Sequence, residues 1–172
     1  MLLHKRPDLQ VVPLRGNVDT RLRKVAAGEV DATFLALAGL NRLGREDTGA
    51  VPVPVEDMLP AVCQGIVGVE RRSADDRVAA LLKPLNDSDA AICAAAERTL
   101  LAELDGSCRT PIAALAEPSN GEMRFRAAIV RPDGSELLET ERAGPVTDAA
   151  VMGRDAADEL RGRAGPGFFD EC

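Results

Sequence analysis

Tryptophan and tyrosine are absent from this chain of 172 residues, and Phe34, Phe125, Phe168 and Phe169 are its only aromatic residues. That excludes the base-stacking platforms on which readers of single-stranded nucleic acid depend. An excess of positive charge is lacking too: the net charge is −7, the wrong sign for holding a polyphosphate. Histidine is represented by His4 alone, and Cys63, Cys93, Cys108 and Cys172 are widely spaced with no CxxC pair. Neither a zinc site nor a disulfide framework is expected from so sparse a set. No signal peptide is recognisable and no apolar run is long enough for a bilayer. Reduced thiols and a cytoplasmic location are the expectation, with no membrane and no nucleic acid as partner.

What is present is a core of Ala, Val and Leu, enough for one large domain or two small ones. Charge is unevenly spread. Residues 1–45 carry eight Lys or Arg against four acids, +4 in all, and the remainder is −11. A basic first quarter in an acidic chain suits a small anionic ligand. A solvated helix face explains Lys5, Arg6, Arg23 and Lys24 equally well.

Residues 9–14 read as a strand ending at Arg15-Gly16. Asn17 then caps a helix over 18–27 that Gly28 stops. A continuous apolar run over 31–37 predicts a strand buried on both faces, followed by a short helix from Ala38-Gly39-Leu40 to Gly44. This is a βαβ unit with parallel strands. Residues 65–70 predict another buried strand, 75–85 a helix, and 89–104 a long Ala-rich helix behind the linker and cap at 86–89. Three strands follow, over 111–117, 122–131 and 135–142, the last two joined by Pro132-Asp133-Gly134. Met123, Phe125, Ala127 and Ile129 alternate with Arg124, Arg126, Ala128 and Val130, which predicts one buried and one partly wet face. A final helix over 147–162 completes a small α+β module. The fold class is α/β plus α+β, with a boundary near 84–88.

Two stretches carry chemistry. Leu104-Asp105-Gly106-Ser107-Cys108-Arg109-Thr110-Pro111 sets a thiol on a polar, glycine-flanked turn beside an arginine, where a thiolate can form and bear a covalent group. Leu14-Arg15-Gly16-Asn17-Val18-Asp19-Thr20-Arg21 sets two arginines around a strand-to-helix turn, where helix N–H groups add to an anion site. Together they point to a protein that tethers an acidic organic molecule.

In order along the chain, Arg6-Pro7-Asp8-Leu9, the Leu14–Leu22 string, Ala36-Leu37-Ala38-Gly39-Leu40-Asn41-Arg42-Leu43-Gly44, Leu59-Pro60-Ala61-Val62-Cys63-Gln64-Gly65, Leu85-Asn86-Asp87, Ala96-Glu97-Arg98 and Leu104-Asp105-Gly106-Ser107-Cys108 resemble porphobilinogen deaminase (hydroxymethylbilane synthase). The resemblance runs end to end. It implies a transferase of tetrapyrrole (heme) biosynthesis that condenses four porphobilinogen units, with loss of ammonia, on a dipyrromethane primer. The primer is held by a thioether that corresponds to Cys108. Arg15, Arg21 and Arg42 match the arginines that bind the growing polycarboxylate, and guanidinium suits that task because it binds carboxylate bidentately and stays charged. Gly16 and Gly39 allow close backbone approach, or are simple turn glycines. Gln64 bonds a substrate carboxylate, or is structural. Cys63 stands where the family pattern expects glycine.

The resemblance also implies an architecture. Residues 1–64 correspond to part of a second, periplasmic-binding-protein-like βαβ domain that binds anions. Residues 65–86 correspond to a crossover toward a missing first domain, and 87–172 to the C-terminal α+β domain that attaches the cofactor. The catalytic aspartate belongs to the absent N-terminal domain, which a partner could supply in trans. No carboxylate here stands in for it, since Asp105 reads as a helix-end acid. The chain alone, expected to be a monomer, is expected to be inactive. The rival reading is a non-catalytic module that reversibly binds an anionic small molecule; a third is a remnant that does not fold stably.

Overall fold

The computed structural model describes residues 1–45, 48–107 and 110–170. Its helices are α1 (Leu2–Lys5), α2 (Val18–Ala26), α3 (Leu37–Arg42), α4 (Asp76–Leu82), α5 (Ser88–Glu103) and α6 (Ala149–Ala164). Its strands are β1 (Ile112–Ser119), β2 (Glu122–Val130) and β3 (Leu137–Pro145), forming one antiparallel sheet in the order β1-β2-β3. The chain divides into two units, Asp8–Pro54 and the remainder, Met1–Pro7 with Val55–Cys172.

The larger unit is built on the sheet. Period-2 alternation along β2 turns Met123, Phe125, Ala127 and Ile129 to one face, all essentially without exposure, as the sequence pattern predicts. Ala96 and Leu100 of α5, Leu104 just past its end, and Met152, Ala156, Ala157 and Leu160 of α6 cover that face. So many alanines let the helix backbones come close. At Gly153 of α6, an added Cβ would lie 2.2 Å from the Ala96 carbonyl oxygen.

The opposite sheet face is not simply wet. Ala128 and Val130 are buried there, because Leu59, Ala113 and Ala128 form a second cluster joined by Met1, Leu115 and Leu137. The β2–β3 turn is closed by Asp133, whose Oδ1 accepts the Ser135 amide at 2.9 Å and its hydroxyl at 2.7 Å. Gly134 has φ +80 and lies against the backbone of Leu3 and His4. The His4 Nδ1–H donates to its carbonyl at 2.9 Å, which fixes α1 on the turn.

Helix starts follow their capping residues. Asp87 accepts Ala90 N–H at 2.8 Å at the head of α5, and Asp75 accepts Val78 N–H at 2.9 Å at the head of α4, as N-caps do.

In the smaller unit, Asn17 caps α2 by accepting Thr20 N–H at 2.9 Å, and Gly28, at φ +74, follows its last turn. The strands expected at 9–14 and 31–37 do not form: neither run enters a ladder among the described residues, nor does 65–70. A strand exists only through a neighbour that takes its N–H and C=O groups, and a parallel strand needs neighbours and helices on both faces. Here Val11, Val12 and Phe34 are exposed, and Val67 is 90% exposed. The apolar runs are β-like in composition but unpaired.

Candidate functional site

The turn before α2 is shaped by Gly16, whose φ is +129 and whose added Cβ would meet Thr20 Cγ2 at 2.6 Å. No side chain fits there beside Thr20, and the positive φ favours glycine as well, so the turn requires Gly16. The first N–H groups of an α-helix have no intrahelical acceptor and carry the positive end of its dipole. Arg21 reaches back along α2, its Nε–H donating to the Gly16 carbonyl at 2.9 Å. Its guanidinium is thus drawn onto the turn that Arg15, which is exposed, precedes. Arg23, by contrast, stays on the exposed flank of the helix and reaches only the Thr20 hydroxyl, at 3.4 Å.

Gly39 and Arg42 both belong to α3. Gly39 is within the first turn of α3 rather than on a turn before it, and nothing lies within 4 Å of a Cβ built on it. No steric demand makes it glycine. Arg42 is the last residue of α3, so it stands at the negative end of that helix dipole, where a cation is favoured. Arg45, just beyond, pairs with Asp19 of α2 at 2.5 Å, which ties the ends of the two helices together.

Gln64 belongs to the larger unit. Its side-chain oxygen accepts Ala61 N–H at 3.3 Å, so the amide is folded over its own turn. The flanks of the thiol loop are tightly made. Ser107 N–H donates to Thr110 Oγ1 at 2.9 Å, Thr110 N–H donates back to the Ser107 carbonyl at 3.1 Å, and the two hydroxyls are 3.2 Å apart. Asp105 holds a left-handed φ of +51, and Gly106 is packed so closely that a Cβ would meet Ile112 Cδ1 at 2.5 Å. Cys108 lies outside the described residues, as does Cys172.

The thiols of Cys63 and Cys93 are both free. Burial, together with the nearby Glu97 charge, pushes each above the ordinary thiol range, which disfavours the thiolate. A cavity of ≈ 340 Å³ on the second sheet face includes Glu56, Glu139 and Glu141 among its lining, with Arg126. Arg126 already meets Glu117 at 2.9 Å, so this cavity repels a polycarboxylate.

Glu97 stands in the string Ala96-Glu97-Arg98 on α5. It is buried to 5% exposure, with Oε2 accepting Cys63 N–H at 2.6 Å and Oε1 accepting Ala116 N–H at 3.0 Å. The signal in the sequence was its spacing. Cys93, Ala96, Glu97, Leu100 and Leu104 form one helical stripe, and an acid on that apolar stripe needs buried partners.

Residues 1–80 match the family profile described as "Porphobilinogen deaminase, dipyromethane cofactor binding domain", and residues 91–162 match "Porphobilinogen deaminase, C-terminal domain". The chain is 54% identical over 169 residues to the porphobilinogen deaminase of Paracoccus denitrificans, covering 98% of this chain and 54% of that protein. It is 52% identical over 169 residues to that of Nitrobacter hamburgensis, with the same coverage. To the chloroplastic porphobilinogen deaminase of Oryza sativa it is 51% identical over 172 residues, 98% of this chain and 48% of that one. The chain spans about half the length of the curated relatives it matches, and these relatives lend no support to a reversible anion-binding module.

Proposed function

Since the chain belongs to the porphobilinogen deaminase family, we propose that it is the part of a hydroxymethylbilane synthase that holds the growing pyrrole polycarboxylate and, through Cys108, its dipyrromethane primer. The observation that carries this reading is the arginine-flanked turn Arg15-Gly16-Asn17 at the head of α2, with Arg21 folded onto it. That turn falls within the segment matching the cofactor-binding profile.

The donor set fits an acidic oligopyrrole. Arg15, the guanidinium of Arg21 and the N-terminus of α2 belong to one turn, and carboxylates on short arms need that kind of contact. Arg42 contributes a further exposed cation from α3. When bound, the dipyrromethane supplies the nucleophilic end onto which porphobilinogen units are joined, with loss of ammonia at each addition. This chain's own residues bind and orient. Cys108 anchors by a thioether, which survives repeated cycles without redox chemistry. The arginines neutralise charge as carboxylates accumulate, and Gln64 offers its amide to one of them.

Under this reading the proton donor to the leaving amine is a carboxylate outside this chain, supplied by a further domain in cis or in trans. The unpaired apolar runs at 9–14 and 31–37 are then the strands of a periplasmic-binding-protein-like sheet completed by that polypeptide. Segments 1–64, 65–86 and 87–172 serve as anion-binding part, crossover and cofactor-attachment part of a monomer working in the cytoplasm, where Cys63 and Cys93 stay reduced. The test is intact mass after production together with the amino-terminal half of a relative. A covalent adduct of two pyrrole units, lost in Cys108→Ala, is expected. No adduct on the parent chain overturns the covalent reading, and hydroxymethylbilane made by the chain alone overturns the assignment of the proton donor elsewhere.

A further inference from the structure

The segment Pro60–Ala61 begins a fourth strand on the free edge of β1 and then abandons it. Ala61 bridges Ala113, and Ala114 N–H donates to the Pro60 carbonyl at 3.1 Å. Past Ala61 the chain turns away. Gln64 N–H returns to the Ala61 carbonyl at 3.0 Å and Ile66 N–H to the Cys63 carbonyl at 3.1 Å. The next amide on the same edge of β1 is that of Ala116; because the bridge is antiparallel, its backbone partner would have to come from before Pro60, where the chain is already in the turn at 55–57. Without its strand partner it would be buried and unpaired, as would the amide of Cys63. Each such orphan forfeits its bond to water and gains nothing in return.

Glu97 resolves both at once. One oxygen takes Ala116 and the other takes Cys63, so the side chain continues the ladder where the backbone leaves it. Cys93, one helical turn earlier, donates its S–H to the Ala116 carbonyl at 3.2 Å. Only a carboxyl offers two acceptor atoms at this spacing; glutamine would set an NH₂ against one of the two N–H groups. Burial pushes the Glu97 carboxyl upward and the two N–H bonds oppose that. Cys63 itself is held at φ +58, a conformation that is strained for a non-glycine residue because Cβ crowds the following carbonyl oxygen. Something must hold it there.

We propose that Glu97 is a positioning residue: its carboxylate clamps the Ala61–Gly65 turn in its left-handed form against β1 and α5, and thereby sets where Gln64 stands. The consequence for ligand binding rests on Gln64 being a ligand contact; the clamp itself does not.

The test is residue-resolved amide exchange by NMR on the full chain. In Glu97→Gln, the Gln64 and Ile66 amides are expected to exchange about tenfold faster, the equivalent of one lost buried bond. Phe125 and Ala127, in the centre of β2, stay within about twofold. Adding Cys63→Gly to Glu97→Gln slows Gln64 and Ile66 again, since glycine adopts φ +58 without strain. Glu97→Asp, one methylene shorter, serves if the glutamine variant does not fold, with the same expectation and the same rescue. Unchanged Gln64 and Ile66 exchange, acceleration by one factor throughout the chain, or no rescue by glycine each overturns the clamp. Porphobilinogen titration separates the two readings. If Gln64→Ala leaves binding unchanged while the amides respond as stated, the ligand role of Gln64 falls and the clamp stands.

Discussion

Arg142 Nη2 donates to Glu159 Oε2 at 2.7 Å, joining edge strand β3 to helix α6. The same carboxylate accepts the Thr140 hydroxyl at 2.7 Å and Arg163 Nη1 at 2.7 Å. Arg163 also caps the Glu139 carbonyl at 2.8 Å and Arg142 caps that of Glu141 at 2.9 Å. Arginines thus occupy backbone acceptors of a strand that is otherwise a sheet edge, which discourages pairing with another chain.

Acid should dismantle this network. The hydrogen bonds from Thr140, Arg142 and Arg163 hold the Glu159 carboxyl down at about 2. A folded-state value below the unfolded one adds stability in full above the ordinary carboxylate range and loses it as pH falls through about 2. Urea midpoints measured from about pH 5 down to pH 2 should fall more steeply for the parent chain than for Glu159→Gln. Parallel slopes would remove Glu159 from the account.

Two glycines of α6 should respond in opposite directions to alanine. At Gly153 the new methyl collides with the Ala96 carbonyl, and overpacking of this kind costs about 1–3 kcal/mol. At Gly162 nothing lies within 4 Å, and a helical Gly→Ala gains about 0.5–1 kcal/mol. Thermal unfolding of both variants gives the signs, and a tolerated Gly153→Ala contradicts the close α5–α6 approach.

Arg15→Ala and Arg21→Ala should each weaken porphobilinogen binding about tenfold, the scale of one charge-assisted hydrogen bond. Arg23→Ala, three residues after the capped Thr20 and facing outward, should leave it unchanged. Equal losses from all three would reduce the site to general positive charge.

Cys63 and Cys93 should alkylate slowly. Burial pushes both thiols upward, so their thiolates appear only above the pH at which a free cysteine ionises. Iodoacetamide rates followed by peptide mass against pH will show profiles displaced to higher pH than that of free cysteine. Coincident profiles would place the sulfurs in open solvent.

Much of this protein was legible without coordinates because its signals are local. Asn17, Asp75 and Asp87 announce helices by a side chain that accepts an amide three residues on, and Pro132-Asp133-Gly134 announces a hairpin by φ and by the aspartate that closes it. The alternation in β2 needs only its own sequence to say which residues share a face. The ordered family strings are likewise a property of the linear chain.

Other features depend on what arrives from elsewhere. Runs 9–14 and 31–37 carry β-forming residues, yet strands are made of bonds between segments, and among the described residues no segment pairs with them in a ladder. Ala128 shares a face with two arginines but is buried because it clusters with Leu59 and Ala113, with Leu137 and Met1 packed against them. Glu97 reads as one more acid on a long helix until the sheet edge leaves two amides unanswered beside it. Periodicity and capping are written residue by residue, so the sequence alone determined them; which buried polar group meets which partner is decided only when distant backbone is brought within hydrogen-bond reach.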